Sequence, residues 1–297
     1  MSRRRTTIRH SETRGKFTTV YWTFALASRP IRKFNRMELR LESKVAVITG
    51  GEQGIGKQTA LLFAQEGADL ALLGLMSHGL ELVRREVETL SRKCLVYEVN
   101  VANEGQVNEA IEASLKSFGR IDVLINNASV LGATAPVAEL NPQSWTEEIG
   151  VNLTGPFLCC RAVLPGMTKQ RSGKIINITS VAGQRAYPLR SSYAVSKAGL
   201  IALTRTLAAE VGSYNIRVNA IAPGPVAGNR MKRVIEQRAR STGQSIAEIE
   251  ASYLHALALG RMVEERDVAR MALFLASKEG DNITGQVFNI CSGYKLE

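Results

Sequence analysis

The sequence predicts a doubly wound α/β fold, a parallel sheet with helices on both faces, and three observations carry that prediction. Five short apolar runs lack the alternation of a half-exposed strand. Amphipathic helical patterns separate them. A glycine-rich turn joins the first run to the first helical pattern.

The runs are KVAVIT (44–49), LALLG (70–74), VLIN (123–126), KIINIT (174–179) and RVNAIA (217–222). Each reads as a strand buried on both faces. After the first run, IGKQTALLFAQEG places Ala60, Leu61, Phe63 and Ala64 on one side of a helix. EGQVNEAIEASLKSFG (104–119) does the same with Val107, Ala110, Ile111 and Leu115. Alternation of strand and helix over residues 37–297, with no internal repeat, makes this one domain.

The turn is VITGGEQGIGKQTA (47–60). Gly50, Gly54 and Gly56 accept positive φ or let the backbone approach a ligand closely. The free N–H groups and dipole of the helix that follows suit a pyrophosphate. Later, Tyr193 precedes Lys197 by four residues in SSYAVSKAG, so in a helix a phenol and an ammonium share a face. The pair alone does not separate chemistry from an exposed helix pair.

Composition narrows the function classes. With 297 residues, 45% hydrophobic and 22% charged, the chain has the apolar content of one large core. No apolar run reaches the roughly 18 residues of a membrane helix. The cysteines Cys94, Cys159, Cys160 and Cys291 form no metal-binding spacing and read as reduced thiols of a cytoplasmic protein. The net charge of +11 points to nucleic acid only until it is located. Residues 1–36 hold ten basic residues against Glu12, which leaves the body near neutral. That basic segment, expected to be disordered, reads as an extension or sequence upstream of a start at Met37. An organelle transit peptide or a secretory signal are the other readings.

The motifs occur in one order. T-G-x-x-x-G-I-G (49–56), NNAS (126–129), Asn152 in VNLTG, Ser180 in NITSVAG, Tyr193-x-x-x-Lys197 and APGPV (222–226) together resemble the short-chain dehydrogenase/reductase family. LGRM (259–262) and FLASKEGDNITGQVFNICSG (274–293) resemble its C-terminal end. The resemblance implies a Rossmann fold and an NAD(P)-dependent oxidoreductase interconverting a secondary alcohol and a ketone. It implies that Tyr193 is the general acid/base, with Lys197 beside it to favour the phenolate and hold the nicotinamide ribose. Ser180 would hold the substrate oxygen, and Asn152 would support a water relaying protons to Lys197. Gly50, Gln53, Gly54, Ile55, Gly56, Asn100, Val101, Asn127, Ala128, Pro223, Gly224 and Val226, with Tyr193 and Lys197, would bind the cofactor. No metal is expected.

Departures from the family pattern bear on specificity. Ser129 replaces a common glycine, Gly228 stands where a threonine touches the nicotinamide, and Asn100 stands where an aspartate meets the adenine. NAD-preferring members carry an acid where Gly74 stands. NADP-preferring members carry a base where Leu75 or Gln53 stands. With neither present, and Ser77 and His78 able to donate to a 2′-phosphate, the expectation leans to NADP over NAD.

Residues 225–258 read as a helical substrate lid carrying Arg230, Lys232, Arg233, Arg238 and Arg240. These form either a solvated helix face or a basic lip for a small-molecule substrate such as a sugar acid, a keto acid or an acyl thioester. The helix SSYAVSKAGLIALTRTLAAEVG lacks a polar stripe and is expected to pack on another subunit, as in the family's homotetramers. Nucleic acid and membrane partners are not expected. The competing reading is a non-catalytic nucleotide-binding regulator or scaffold on the same fold.

Overall fold

The structure, a computed structural model, describes residues 40–295, and the basic extension expected over 1–36 lies outside them. Seven strands run parallel: β1 (Val45–Thr49), β2 (Asp69–Gly74), β3 (Cys94–Glu98), β4 (Val123–Asn126), β5 (Gly173–Ile178), β6 (Ile216–Pro223) and β7 (Val287–Ile290). Their spatial order is β3-β2-β1-β4-β5-β6-β7. The helices are α1 (Gly54–Gln65), α2 (Ser77–Thr89), α3 (Glu104–Phe118), α4 (Pro142–Ile149), α5 (Gly155–Gln170), α6 (Ser191–Val211), α7 (Asn229–Thr242), α8 (Ile246–His255) and α9 (Glu265–Ala276).

Successive residues of the inner strands feed two cores. Ala46, Ile48, Leu70 and Leu72 pack with Phe63 of α1, Leu80 of α2 and Val268 of α9. Val47, Ala71, Leu73 and Leu124 pack on the other face with Ile111 of α3 and Val163 of α5. This is why the five runs show no alternation: both faces are covered, and each buried leucine or isoleucine contributes about 1.5–3 kcal/mol. The strands those runs did not pick out, β3 and β7, are the two edges. Every residue of β1 is buried, whereas Leu95, Val96 and Tyr97 of β3 are half-buried and Glu98 is exposed. An edge is covered less completely and so requires a weaker apolar signal.

Local chemistry sets the helix ends. The Asn103 side chain accepts from the Gln106 N–H to start α3, and Gly119 ends it at φ 77°. Between α4 and α5 the backbone widens into a π-helical turn over Gly150–Thr154. The segment expected as a lid forms α7 and α8. Met231, Ile235 and Ala239 of the first pack with Ile249 and Tyr253 of the second, over Val181, Leu257 and Tyr294. No helix among the described residues is long and apolar enough to cross a membrane.

Candidate active site

The strand order reverses between β1 and β4, and the C-terminal ends of the strands on either side open into one cleft of about 520 Å³. Open α/β sheets place ligands at such a reversal, because the connecting loops there diverge to opposite faces.

One half of the cleft is built on the glycine turn. Gly50, Gln53, Gly54 and Ile55 line it, with Asn100, Val101, Asn127 and Ala128 opposite. Gly56 lies behind this wall. A Cβ on it would meet the Gly50 carbonyl oxygen at 2.0 Å, so only glycine lets α1 rest on the turn. The Asn127 amide donates to the carbonyls of Thr49 (3.0 Å) and Gly50 (2.9 Å). The Thr49 hydroxyl accepts from the backbone N–H groups of Asn127 (2.9 Å) and Ala128 (3.0 Å). The ends of β1 and β4 are thereby bolted together. The Asn100 Oδ1 accepts from the Ala102 N–H at 3.0 Å. Gln53, at the N-cap of α1, makes no side-chain cap. The first N–H groups of α1 therefore face the cleft without a side-chain acceptor, which fits the pyrophosphate of a dinucleotide.

The other half carries the reactive groups. Ser180, Tyr193 and Lys197 line it together, with Pro223, Gly224 and Val226 of the β6 end. Ser180 closes β5 and caps a short 3-10 turn, accepting from the Ala182 N–H at 3.1 Å. That turn lies directly on α6: a Cβ on Gly183 would come within 2.6 Å of the Lys197 backbone carbon. Glycine at 183 thus holds the serine next to the tyrosine and lysine. The Lys197 Nζ donates to the Ile178 carbonyl at 3.0 Å and lies 5.8 Å from the Tyr193 ring centroid. Burial, and then the positive charge of Arg230, push its pKa down to about 7, against a partial counterweight from Glu148.

Asn152, expected to support a proton-relaying water, has its side chain engaged by the neighbouring loop. It is fully buried in the π-helical turn and does not line the cleft. Its Oδ1 accepts from the Val130 N–H (2.9 Å), and its Nδ2 donates to the Val130 carbonyl (3.3 Å) and to Glu148 Oε1 (3.4 Å). The side chain clamps the loop that follows NNAS.

Two groups in and around this half, Glu148 and Arg190, were not singled out by sequence reasoning, and a third, Arg230, was read differently. Glu148 is 1% exposed, accepts from the Ser192 hydroxyl and has its pKa raised chiefly by burial. The Arg190 guanidinium lies 5.0 Å from the Tyr193 ring centroid and donates to the Leu131 carbonyl, while its buried Nε has no partner. Arg230, read from sequence as part of a solvated helix face or a basic lip, clasps the NNAS loop: it donates to the Ser129 carbonyl (2.8 Å), the Ser129 hydroxyl (3.1 Å) and the Val130 carbonyl (3.0 Å). Ser129, in place of a glycine, is one of its partners. Arg190 gave one legible signal, a charge three residues before Tyr193 at the start of an otherwise small and apolar helix.

Comparison with known proteins agrees with this geometry. The family model described as enoyl-(acyl carrier protein) reductase matches residues 50–295. The chain is 41% identical over 255 residues to 3-oxoacyl-[acyl-carrier-protein] reductase FabG of Thermotoga maritima, covering 86% of this chain and 99% of that protein. The crystal structure of levodione reductase superposes with a TM-score of 0.83 at 32% identity, over 86% of this chain and 99% of that one. NAD+-bound xylitol dehydrogenase superposes with a TM-score of 0.81 at 32% identity, over 84% and 98%. With this coverage and the reactive groups gathered in one cleft, the chain belongs to the short-chain dehydrogenase/reductase family.

Proposed function

We propose that the cleft binds NAD or NADP along the glycine turn and interconverts a secondary alcohol and a ketone at its Tyr193 end. The observation that carries this is the placement of Ser180, Tyr193 and Lys197 on one stretch of wall, continuous with an uncapped helix N-terminus. Bound there, the nicotinamide supplies hydride transfer to or from the substrate carbon. The Tyr193 hydroxyl gives its proton to the carbonyl oxygen in reduction and takes it back in oxidation. The Lys197 ammonium stabilises the negative charge that forms as the proton leaves. The Ser180 hydroxyl donates to the substrate oxygen. Asn152 acts as a positioning residue by fixing Val130, which lines the cleft.

The arginines favour an anionic or carbonyl-rich substrate, in the range of sugar acids, keto acids and 3-oxoacyl thioesters. Arg190 and Arg233 line the cleft, and the unpartnered Nε of Arg190 is a buried donor. The α7–α8 pair serves as the lid. Phe157 of α5 and Val195 of α6 are 45% and 47% exposed among small residues, which supports assembly into a homotetramer through these two helices. A panel of sugars, sugar acids, cyclic polyols and β-ketoacyl thioesters, read by nicotinamide absorbance with each cofactor, tests the reading. One class turning over is expected. Turnover of none, with cofactor bound, would favour a scaffold.

A further inference from the structure

The resemblance left the adenosine end of the cleft without a charge, because Gly74 at the tip of β2 carries no acid. The structure fills that place from the glycine turn. A Cβ built on Gly74 would lie 2.4 Å from Glu52 Oε2 and 3.0 Å from its Cδ. The Glu52 side chain, which rises from the glycine turn, thus occupies the space an acid at position 74 would enter. Gly79, in the first turn of α2, makes the approach possible from the other side, since a Cβ there would meet Glu52 Cβ at 3.0 Å. Glu52, Gly74 and Leu75 line the cleft together.

The carboxylate has an unmet need. Its Oε2 is buried and has no hydrogen-bond partner among the described residues. A buried acceptor without a donor is costly, so the carboxyl gains by turning toward a donor that a ligand brings to the cleft wall. Burial holds the Glu52 pKa above its ordinary range, eased by its own backbone N–H. The cationic side chains that line the cleft, Arg190, Lys197, Arg230 and Arg233, belong to the start of α6, to α6 and to α7. None arises from the turn, β2 or α2. Ser77, an expected donor to a 2′-phosphate, instead donates to Glu98 Oε2, which adds a second carboxylate nearby.

We infer that Glu52 is the specificity-determining residue of the adenosine end, accepting hydrogen bonds from the 2′- and 3′-hydroxyls of NAD and repelling the 2′-phosphate of NADP. This rests on the proposed dinucleotide reading of the cleft and reverses the lean to NADP. The acid of this site is supplied from the glycine turn, two residues before Gly54, and Gly74 is small because the carboxylate needs its space.

The test measures dissociation constants of NAD and NADP by isothermal titration calorimetry on the full chain, with circular dichroism confirming the fold of each variant. The wild type is expected to bind NAD more tightly. Glu52→Gln and Glu52→Ser should each shift the NADP/NAD affinity ratio at least about tenfold toward NADP, by removing like-charge repulsion in a partly desolvated site. Glu52→Ser combined with Gly74→Asp moves the carboxylate to β2 and should restore the preference for NAD. Tighter wild-type binding of NADP, or a ratio that neither single variant shifts, would overturn the assignment of Glu52 and leave the dinucleotide reading intact. Binding of neither dinucleotide would overturn both.

Discussion

The two ends of the cleft answer the same problem, a buried ionisable group, in opposite ways. At the Tyr193 end Lys197 is surrounded. It donates to the Ile178 carbonyl, and its proton affinity is lowered by burial and by Arg230 and raised by Glu148. At the other end Glu52 stands almost alone, with one oxygen unpartnered. In the proposed reaction Lys197 needs a fixed position and a tuned charge before substrate arrives, and its partners are built in. A group that waits for a ligand is left incomplete. One cleft thus holds a buried cation with its partners in place and a buried carboxylate without them.

The comparison breaks most visibly at the reactive end. Replacement of Tyr193 by Phe keeps the ring and removes the transferable proton, so turnover should fall at least about 10²-fold with cofactor affinity little changed. Near-full turnover in stopped-flow assays would remove Tyr193 from its role. Ser180→Ala should lose roughly 10-fold or more through one missing donor to the substrate oxygen, read as a fall in kcat with a smaller change in KM.

Packing around the reactive end gives the next effect. Gly183→Val places side-chain atoms where the Lys197 backbone lies, and overpacking of this kind costs about 1–3 kcal/mol. Denaturant midpoints should fall, and turnover should fall with them because Ser180 rides on the same turn. An unchanged midpoint would mean that the turn does not rest on α6.

The charge on Lys197 sharpens the contrast through pH. Its pKa is about 7 in the folded chain and near 10.5 in the ordinary state. Between those values the unfolded chain holds a proton that the folded chain has released, so this group's contribution makes stability rise with pH across the window. The penalty is complete below about pH 7. Wild-type protein without cofactor should therefore gain stability from about pH 6 to about pH 9 relative to Lys197→Met, measured by urea unfolding. Parallel pH profiles would show that the surroundings do not lower the proton affinity of the lysine. The smallest effect is expected from a chain starting at Met37, which should fold and turn over like the whole protein.

Legibility in the sequence followed the same division. The covered strands were readable because both faces are apolar, and β3 and β7 were weaker because edges are less covered. Ser180, Tyr193 and Lys197 were readable as motif residues at a recognisable spacing, and the structure brings all three to one cleft. Gly56 and Asn152 carried the right motif, yet the structure puts both behind the wall, where one permits close packing and the other clamps Val130. Glu52 was not legible. Its partner Gly74 lies on the next strand, and the register that sets Thr49 against Leu73 is what brings turn and strand tip together. Arg230 was misleading in isolation, since a basic stripe on α7 gives no sign that one of its members reaches the NNAS loop.

The central claim is that this cleft moves hydride and proton, and does not merely hold a nucleotide. Reduced cofactor deuterated at the transferred position, incubated with the ketone form of each member of the substrate panel, tests it by mass spectrometry of the product. The account predicts deuterium on the carbinol carbon with the wild type and at least about 10²-fold slower labelling with Tyr193→Phe. Bound cofactor with no label transferred to any member of the panel would contradict it and leave a nucleotide-binding scaffold.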